Sequence, residues 1–181
     1  MRMTAIALAL FSITGAAVAE CPAAPDRSAD LEALFDEARA APDERAGRAL
    51  SDRMWEIWTD APDDAAQSLL DRGMAAREVH DFLGALEAFD RLVDYCPDYS
   101  EGYNQRAFIY FLNGEMEKAL EDLDRTLEIT PRHVGALSGR ALTLIALGRN
   151  AEGQEALRQA LDLNPWIPER GLLAEPPGDD I

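Results

Sequence analysis

Apolar residues near the middle of the chain recur with the spacing of an amphipathic helix. A first stripe, related by i, i+4, i+7 and i+8, consists of Tyr103, Ala107, Tyr110 and Phe111. Gly114 interrupts the pattern, because glycine readily takes the left-handed conformation that ends a helix. A second stripe, which ends before Pro131, consists of Met116, Ala119, Leu120, Leu123 and Leu127. The pattern therefore predicts two helices that fold back on each other.

The same pattern repeats at an interval of 34 residues, over 66–99, 100–133 and 134–167. Aligned without gaps, these three units agree at positions 7 (Arg72, Arg106, Arg140), 8 (Gly73, Ala107, Ala141), 20 (Ala85, Ala119, Gly153), 24 (Phe89, Leu123, Leu157) and 32 (Pro97, Pro131, Pro165). Small residues at positions 8 and 20 allow two helices to approach closely. Self-similarity at this period predicts an array of stacked helix pairs.

This pattern resembles the tetratricopeptide repeat family, whose units favour small residues at positions 8, 20 and 27 and proline at 32. The resemblance implies an all-α solenoid of antiparallel helix pairs, which binds other proteins on its concave face and is not an enzyme. The sequence departs from the family at position 27, where Leu92 and Thr126 precede Ala160, and at position 20 of the last unit. There Gly153 costs about 1 kcal/mol relative to alanine inside a helix, so we expect a looser last pair.

In this family, positions 2, 5, 9 and 12 of each first helix line the concave face. The resemblance thus implies a partner-binding surface of Leu70, Met74, Arg77, Glu101, Asn104, Phe108, Phe111, Leu142 and Ile145, with Gln67, Gly135 and Ser138 at the remaining positions. Family members that clamp a terminal carboxylate use Lys, Arg and Asn, and Glu101 disfavours that clamp. An apolar floor with Asn104 predicts an amphipathic helix or extended peptide as partner. Alternatively, the N-terminal helices or the tail of the chain fill the groove.

Two further helices are predicted before the repeats, one over 29–40 behind Ser28 and one from Asp43 to about Thr59. We interpret 20–62 as an N-terminal cap, with Trp55 and Trp58 packed against the first unit, because a terminal unit exposes an apolar side. The repeats then span 63–167, and 168–181 forms a C-terminal cap and a mobile tail. The residues expected to fold over the last unit are Trp166, Ile167, Leu172 and Leu173.

The first residues have the pattern of a secretory signal peptide. Arg2 precedes an apolar run, and small residues lead to an A-x-A ending at Ala19. The pattern predicts cleavage after residue 19 and an exported protein, in a bacterial periplasm or secreted, with no stable membrane insertion afterwards. An uncleaved anchor is the alternative, although a membrane span needs about 20 apolar residues. In an oxidising compartment Cys21 and Cys96 can form one disulfide; two unpaired thiols are the other possibility.

Composition narrows the function further. The chain has 17 Lys+Arg against 34 Asp+Glu, a net charge of −17, which disfavours nucleic acid as a partner. No phosphate-binding loop, HExxH helix or GxSxG elbow occurs, so no cofactor, metal or catalytic residue is expected. His80 and His133 are interpreted as surface or capping residues, and the position-7 arginines as partners of neighbouring acids.

A passive oligomerisation subunit and a hydrolase using scattered acids are the competing hypotheses, and sequence does not define the oligomeric state.

Overall fold

A computed structural model describes residues 20–174, and all regular structure within this range is helical. The helices are α1 (Ser28–Ala40), α2 (Glu44–Trp58), α3 (Asp64–Glu78), α4 (Phe82–Tyr95), α5 (Ser100–Leu112), α6 (Met116–Ile129), α7 (Val134–Ala146), α8 (Asn150–Leu163) and a short 3₁₀ helix, Pro168–Leu172. The predicted all-α solenoid of helix pairs is confirmed. The predicted signal peptide lies outside the described residues, as do residues 175–181 of the predicted tail.

Three helix pairs stack in sequence, α3–α4, α5–α6 and α7–α8. Gly114 and Gly148 adopt φ angles of 78° and 77° in the turns of the last two pairs, as their lack of a Cβ permits. His80 takes the equivalent conformation in the first pair, with a φ of 63°. The next residue, Asp81, caps α4 by accepting a hydrogen bond from the Gly84 N–H at 3.0 Å.

Glycine inside the pairs permits close packing instead of loosening it. A Cβ at Gly153 would lie 2.7 Å from Cγ1 of Ile145 and 3.0 Å from the carbonyl oxygen of Ala141. A Cβ at Gly73 would overlap the Phe89 ring at 2.3 Å. The expectation of a looser last pair is therefore wrong, because α8 uses the absence of a side chain to approach α7.

The α1–α2 pair does not cap the first unit, and this overturns the sequence-based interpretation. Its buried apolar residues join those of α7 and α8 in a single core. The members of this core are Leu34, Phe35, Ala38, Met54, Trp58, Val134, Leu137, Ala141, Leu144, Ala156, Leu157, Ala160, Leu163 and Ile167. Trp58 thus packs against the third unit, because the 59–63 connection lets the pair fold back across the array. Periodicity reports that a helix has an apolar face, but not which surface that face meets.

Contacts between the α1–α2 pair and the segment that follows α8 reinforce this core. The Trp166 ring lies where a Cβ on Gly47 would fall, 2.1 Å from the nearest ring atom, and its Nε1 donates to the Ala38 carbonyl at 3.0 Å. Asn164 donates to Ser51 Oγ at 2.7 Å. Trp166 and Ile167 therefore pack as a C-terminal closure. Leu172 and Leu173 do not, since they remain 49% and 39% exposed.

Cys21 and Cys96 form the predicted disulfide. Cys96 is buried directly after α4, whereas Cys21 lies in the extended segment that precedes α1. The bond therefore fixes the start of the described chain to the first unit, while α1 and α2 pack on the third unit.

Candidate functional site

The concave side of the array is lined by α3, α5 and α7, and α2 covers part of it. Exposure along α5 rises from 0% at Glu101 and 9% at Asn104 to 46% at Phe108. The covered end lies beneath Trp58, whose ring stacks on His133 with 4.1 Å between the centroids. Tyr99 holds this contact by donating its hydroxyl hydrogen to the Trp58 carbonyl at 2.7 Å.

A buried polar network occupies the covered end. Glu101 accepts from His133 Nε2 at 2.8 Å and from the amide of Gln105 at 2.5 Å. The Ala136 N–H donates to His133 Nδ1 at 3.2 Å, so His133 caps α7 and carries its proton on Nε2. The expected capping role of His133 is confirmed, and its pairing with Glu101 is new. A signal existed in the sequence, because Glu101 and His133 stand at the starts of consecutive first helices.

The network buries one predicted partner contact, Glu101, and occupies the amide donor of another, Asn104. Glu101 is fully buried, so it contacts His133 and not a partner. Asn104 directs its Nδ2 group to both oxygens of Glu101, at 3.2 and 3.1 Å, so this amide donor is already used within the protein. Leu70 is also fully buried and belongs to the core of the first unit, with Met74 packed against it.

The uncovered part of the concave side is a pocket of about 460 Å³, called here the open groove. It is lined by Trp55, Arg77, Asn104, Gln105, Ala107, Phe108, Phe111, Leu123, Gly135, Gly139, Leu142 and Thr143. Arg77, Asn104, Phe108, Phe111 and Leu142 are thus brought together as expected, while Ile145 is not among the lining residues. Sequence reasoning missed Trp55, because its position depends on the way α2 folds back.

Arg77 gives the open groove its positive charge. Its Nη1 donates to the Gln105 side-chain oxygen at 2.6 Å, and its guanidinium lies 5.3 Å from the centre of the Phe108 ring. Within residues 20–174 Arg77 has this amide partner and no carboxylate within 4.0 Å. A half-buried cation without a carboxylate partner favours a ligand atom that accepts hydrogen bonds.

The position-7 arginines have a structural role instead, because two of them form ion pairs with acids of neighbouring helices. Arg106 donates to both oxygens of Asp122 at 2.7 Å and to Asp90 at 2.9 Å. These hydrogen bonds raise the pKa of Arg106, whereas burial raises the pKa of Asp122. Arg140 pairs with Asp124 at 2.6 Å. The predicted pairing with neighbouring acids is confirmed for these two arginines.

The described residues also bear on metal and membrane binding. Within residues 20–174 no group of three or more His, Cys, Asp or Glu side chains is placed to hold a metal ion. None of the helices in this range has both the length and the apolar character needed to cross a membrane.

Comparison with known proteins places these features in a family. Two tetratricopeptide repeat models match the chain, one over residues 70–133 and the other over 134–165. The chain is 30% identical over 135 residues to a TPR repeat-containing protein of Rhizobium etli, a match that covers 75% of this chain and 66% of the relative. The chain therefore spans just under two thirds of that relative's length.

Solved structures share the fold at lower identity. The Arabidopsis OM64 TPR domain superposes with a TM-score of 0.59 and 20% identity, over 61% of this chain and 91% of that domain. The first TPR of Spaghetti (RPAP3), bound to the HSP90 peptide SRMEEVD, gives a TM-score of 0.58 and 21% identity, over 60% of this chain and 86% of that one. Because the repeat models together cover more than half of the chain and the helix pairs carry the repeat's spacing, the chain belongs to the tetratricopeptide repeat family.

Proposed function

We propose that this chain is a scaffold that binds a partner protein through the open groove. The observation that carries the proposal is an exposed aromatic floor in an acidic protein: Phe108 is 46% exposed, and Phe111 and Leu142 lie beside it. Apolar side chains grouped in a concavity are typical of protein interaction sites. The structural neighbour RPAP3 was solved with a peptide bound, which supports a peptide segment as the ligand.

The geometry of the open groove limits the partner segment to a short one. Because α2 covers the end near Glu101, a long helix has no free path along the whole concave side. A short helix or extended segment fits better, with one large apolar side chain against Phe108 and Phe111. Arg77 would bind a carbonyl or carboxylate oxygen of the same segment.

We infer a scaffold and not an enzyme from the state of the acidic residues. Glu101 and Asp122, the carboxylates buried in the described range, are both held by hydrogen bonds from neighbouring side chains. A glycoside hydrolase would need two acids facing the cleft that holds its substrate, and the lining of the open groove contains no Asp or Glu.

The test is to express the tagged protein in the source cell, cross-link it to its partner and purify the complex. Phe108→Ala with Phe111→Ala should abolish capture, because both rings leave the floor. The matched control is Val79→Ala with Leu83→Ala, which removes two apolar side chains that are 74% and 80% exposed elsewhere. Equal capture by both double variants, with unchanged helical content by circular dichroism, would refute the groove as the binding site.

We also propose that the chain is exported after cleavage at residue 19. The A-x-A ending at Ala19 supports this, as does the disulfide between Cys21 and Cys96, since such bonds persist in oxidising compartments. Mass spectrometry of the periplasmic fraction should find a mature chain that begins at Glu20. A full-length chain retained in the cytoplasm would contradict export.

A further inference from the structure

A second cavity, of about 420 Å³, lies beneath the segment that precedes α1. This segment, residues 22–27, is called here the strap; it is anchored at one end by the Cys21–Cys96 disulfide and at the other by α1. The remaining walls come from α1, the end of α2 and the junctions before α5 and α7. The volume falls in the range of small-molecule sites, which is roughly 300–1,000 Å³. The open groove is a separate cavity with different lining residues.

The floor of this strap cavity is apolar and aromatic. Phe35, Trp58 and Tyr99 line it and are 1%, 9% and 6% exposed. Leu31 and Ile57 line it as half-buried aliphatic residues. The aromatic residues are held in place, because Tyr99 is hydrogen-bonded to the backbone of Trp58 and Trp58 is stacked on His133. The floor is therefore rigid and suits a flat or branched apolar group.

The rim of the strap cavity is acidic. The charged lining residues are Asp26, Glu32, Asp60 and Asp98, with Arg27 and Arg132. Both arginines are neutralised locally, because Arg27 donates to Asp60 at 3.1 Å and Arg132 pairs with Glu32. The Arg132 guanidinium also lies 4.9 Å from the centre of the Phe35 ring.

Two rim carboxylates remain without a rim arginine. The Asp98 side chain is 93% exposed, and its ion-pair partner is Arg125 at 3.7 Å. Asp26 accepts a hydrogen bond from the Ser28 N–H at 2.9 Å, and this bond lowers the pKa of Asp26, so the group is ionised at neutral pH. The rim thus adds local negative charge to a chain of net charge −17.

We propose that the strap cavity binds a small organic amine with an apolar, ring-containing body. The body lies on the floor against Leu31, Ile57 and Trp58, and the ammonium group lies at the rim near Asp26 and Asp98. An ammonium ion gains charge-assisted hydrogen bonds from carboxylates. An anion of the same shape meets repulsion at the rim, and a neutral molecule leaves the rim charges unused.

Isothermal titration calorimetry of the oxidised chain tests this with three probes that share one ring system: 2-naphthylethylamine, 2-naphthylethanol and 2-naphthylacetate. The amine should bind with 1:1 stoichiometry, the alcohol about tenfold more weakly and the carboxylate not at all, since one charged hydrogen bond accounts for about a tenfold change. Equal binding of the three probes, or no binding of the amine at millimolar concentration, would overturn the proposal.

Variants distinguish binding in the strap cavity from nonspecific attraction of a cation to an acidic protein. Asp26→Asn with Asp98→Asn should weaken the amine about tenfold, to the level of the alcohol. Glu87→Gln, which removes one exposed charge from α4, is the control and should leave the affinity unchanged. Ile57→Trp should block the floor, with folding checked by circular dichroism. Binding unaffected in both the Asp26/Asp98 variant and the Ile57→Trp variant would place the amine elsewhere and overturn the site. Phe108→Ala with Phe111→Ala should not alter amine binding, so this result is independent of the open groove.

Discussion

The two ends of the repeat array are closed in different ways. The third unit packs against α1 and α2, so that Leu137 and Leu144 share a core with Phe35 and Met54. The first unit has a covalent closure, the Cys21–Cys96 bond, and leaves Val79 and Leu83 exposed at its turn. One end is thus sealed by a large apolar contact and the other by a disulfide.

This difference changes how the array should unfold. Repeat arrays usually have contacts only between neighbouring units, so their stability is a sum of local contributions. Here Trp166 packs over Gly47, although more than one hundred positions separate them in the sequence. The long-range contact joins the first helices to the last unit, and we expect one cooperative transition.

Trp58→Ala is expected to have the largest effect, because it removes the aromatic residue shared by the sealed end, His133 and the strap cavity. The free energy of unfolding should fall by about 4 kcal/mol, measured by urea denaturation. Leu83→Ala at the other end is the control and should change it by less than about 0.5 kcal/mol. Similar losses for the two variants would show that the ends do not differ.

Loss of the disulfide should come next in size. Cys21→Ser with Cys96→Ala releases a loop of 75 residues, which should lower the free energy of unfolding by about 3 kcal/mol. Oxidised wild type is compared with the variant, and with wild type under reducing agent. If the reducing agent destabilises the variant as much as the wild type, the bond is not the cause.

Substitutions of the two histidines test the difference between the two ends one residue at a time, because His133 contacts Trp58 and His80 lies in the turn of the first unit. His133→Ala should lower the free energy of unfolding by about 2 kcal/mol, because Glu101 stays buried and loses a donor. His133→Gln, which keeps a side-chain donor, should recover part of that loss. A neutral effect of His133→Ala would mean that the hydrogen bond to Glu101 does not stabilise the fold.

His80→Gly should have the smallest effect and the opposite sign. The φ angle of 63° at His80 strains a side chain by about 1 kcal/mol, and glycine removes that strain at some cost in unfolded-state entropy. The midpoint of urea denaturation should therefore rise slightly. His80→Ala is the control and should not raise it, because alanine keeps the Cβ.

The open groove shows how far a site could be predicted from the sequence. Phe108 and Phe111 were found because a repeat register assigns them to the concave side, and the structure places both in the open groove. Glu101 was assigned by the same register but is buried, because Trp58 and His133 cover it. Trp55 reaches the open groove from α2, and no register could assign it, since α2 lies outside the repeats.

The sequence by itself determined the helices and the turns between them, because these depend on local spacing and on small residues at fixed positions. The concave register came from the resemblance to the repeat family. Only the tertiary structure decided where α1 and α2 pack, and with them the boundary of the open groove and the existence of the strap cavity. The physical reason is that an apolar stripe records the need for burial but not the partner surface. Here that surface is the third unit, which the chain reaches by folding back across the repeats.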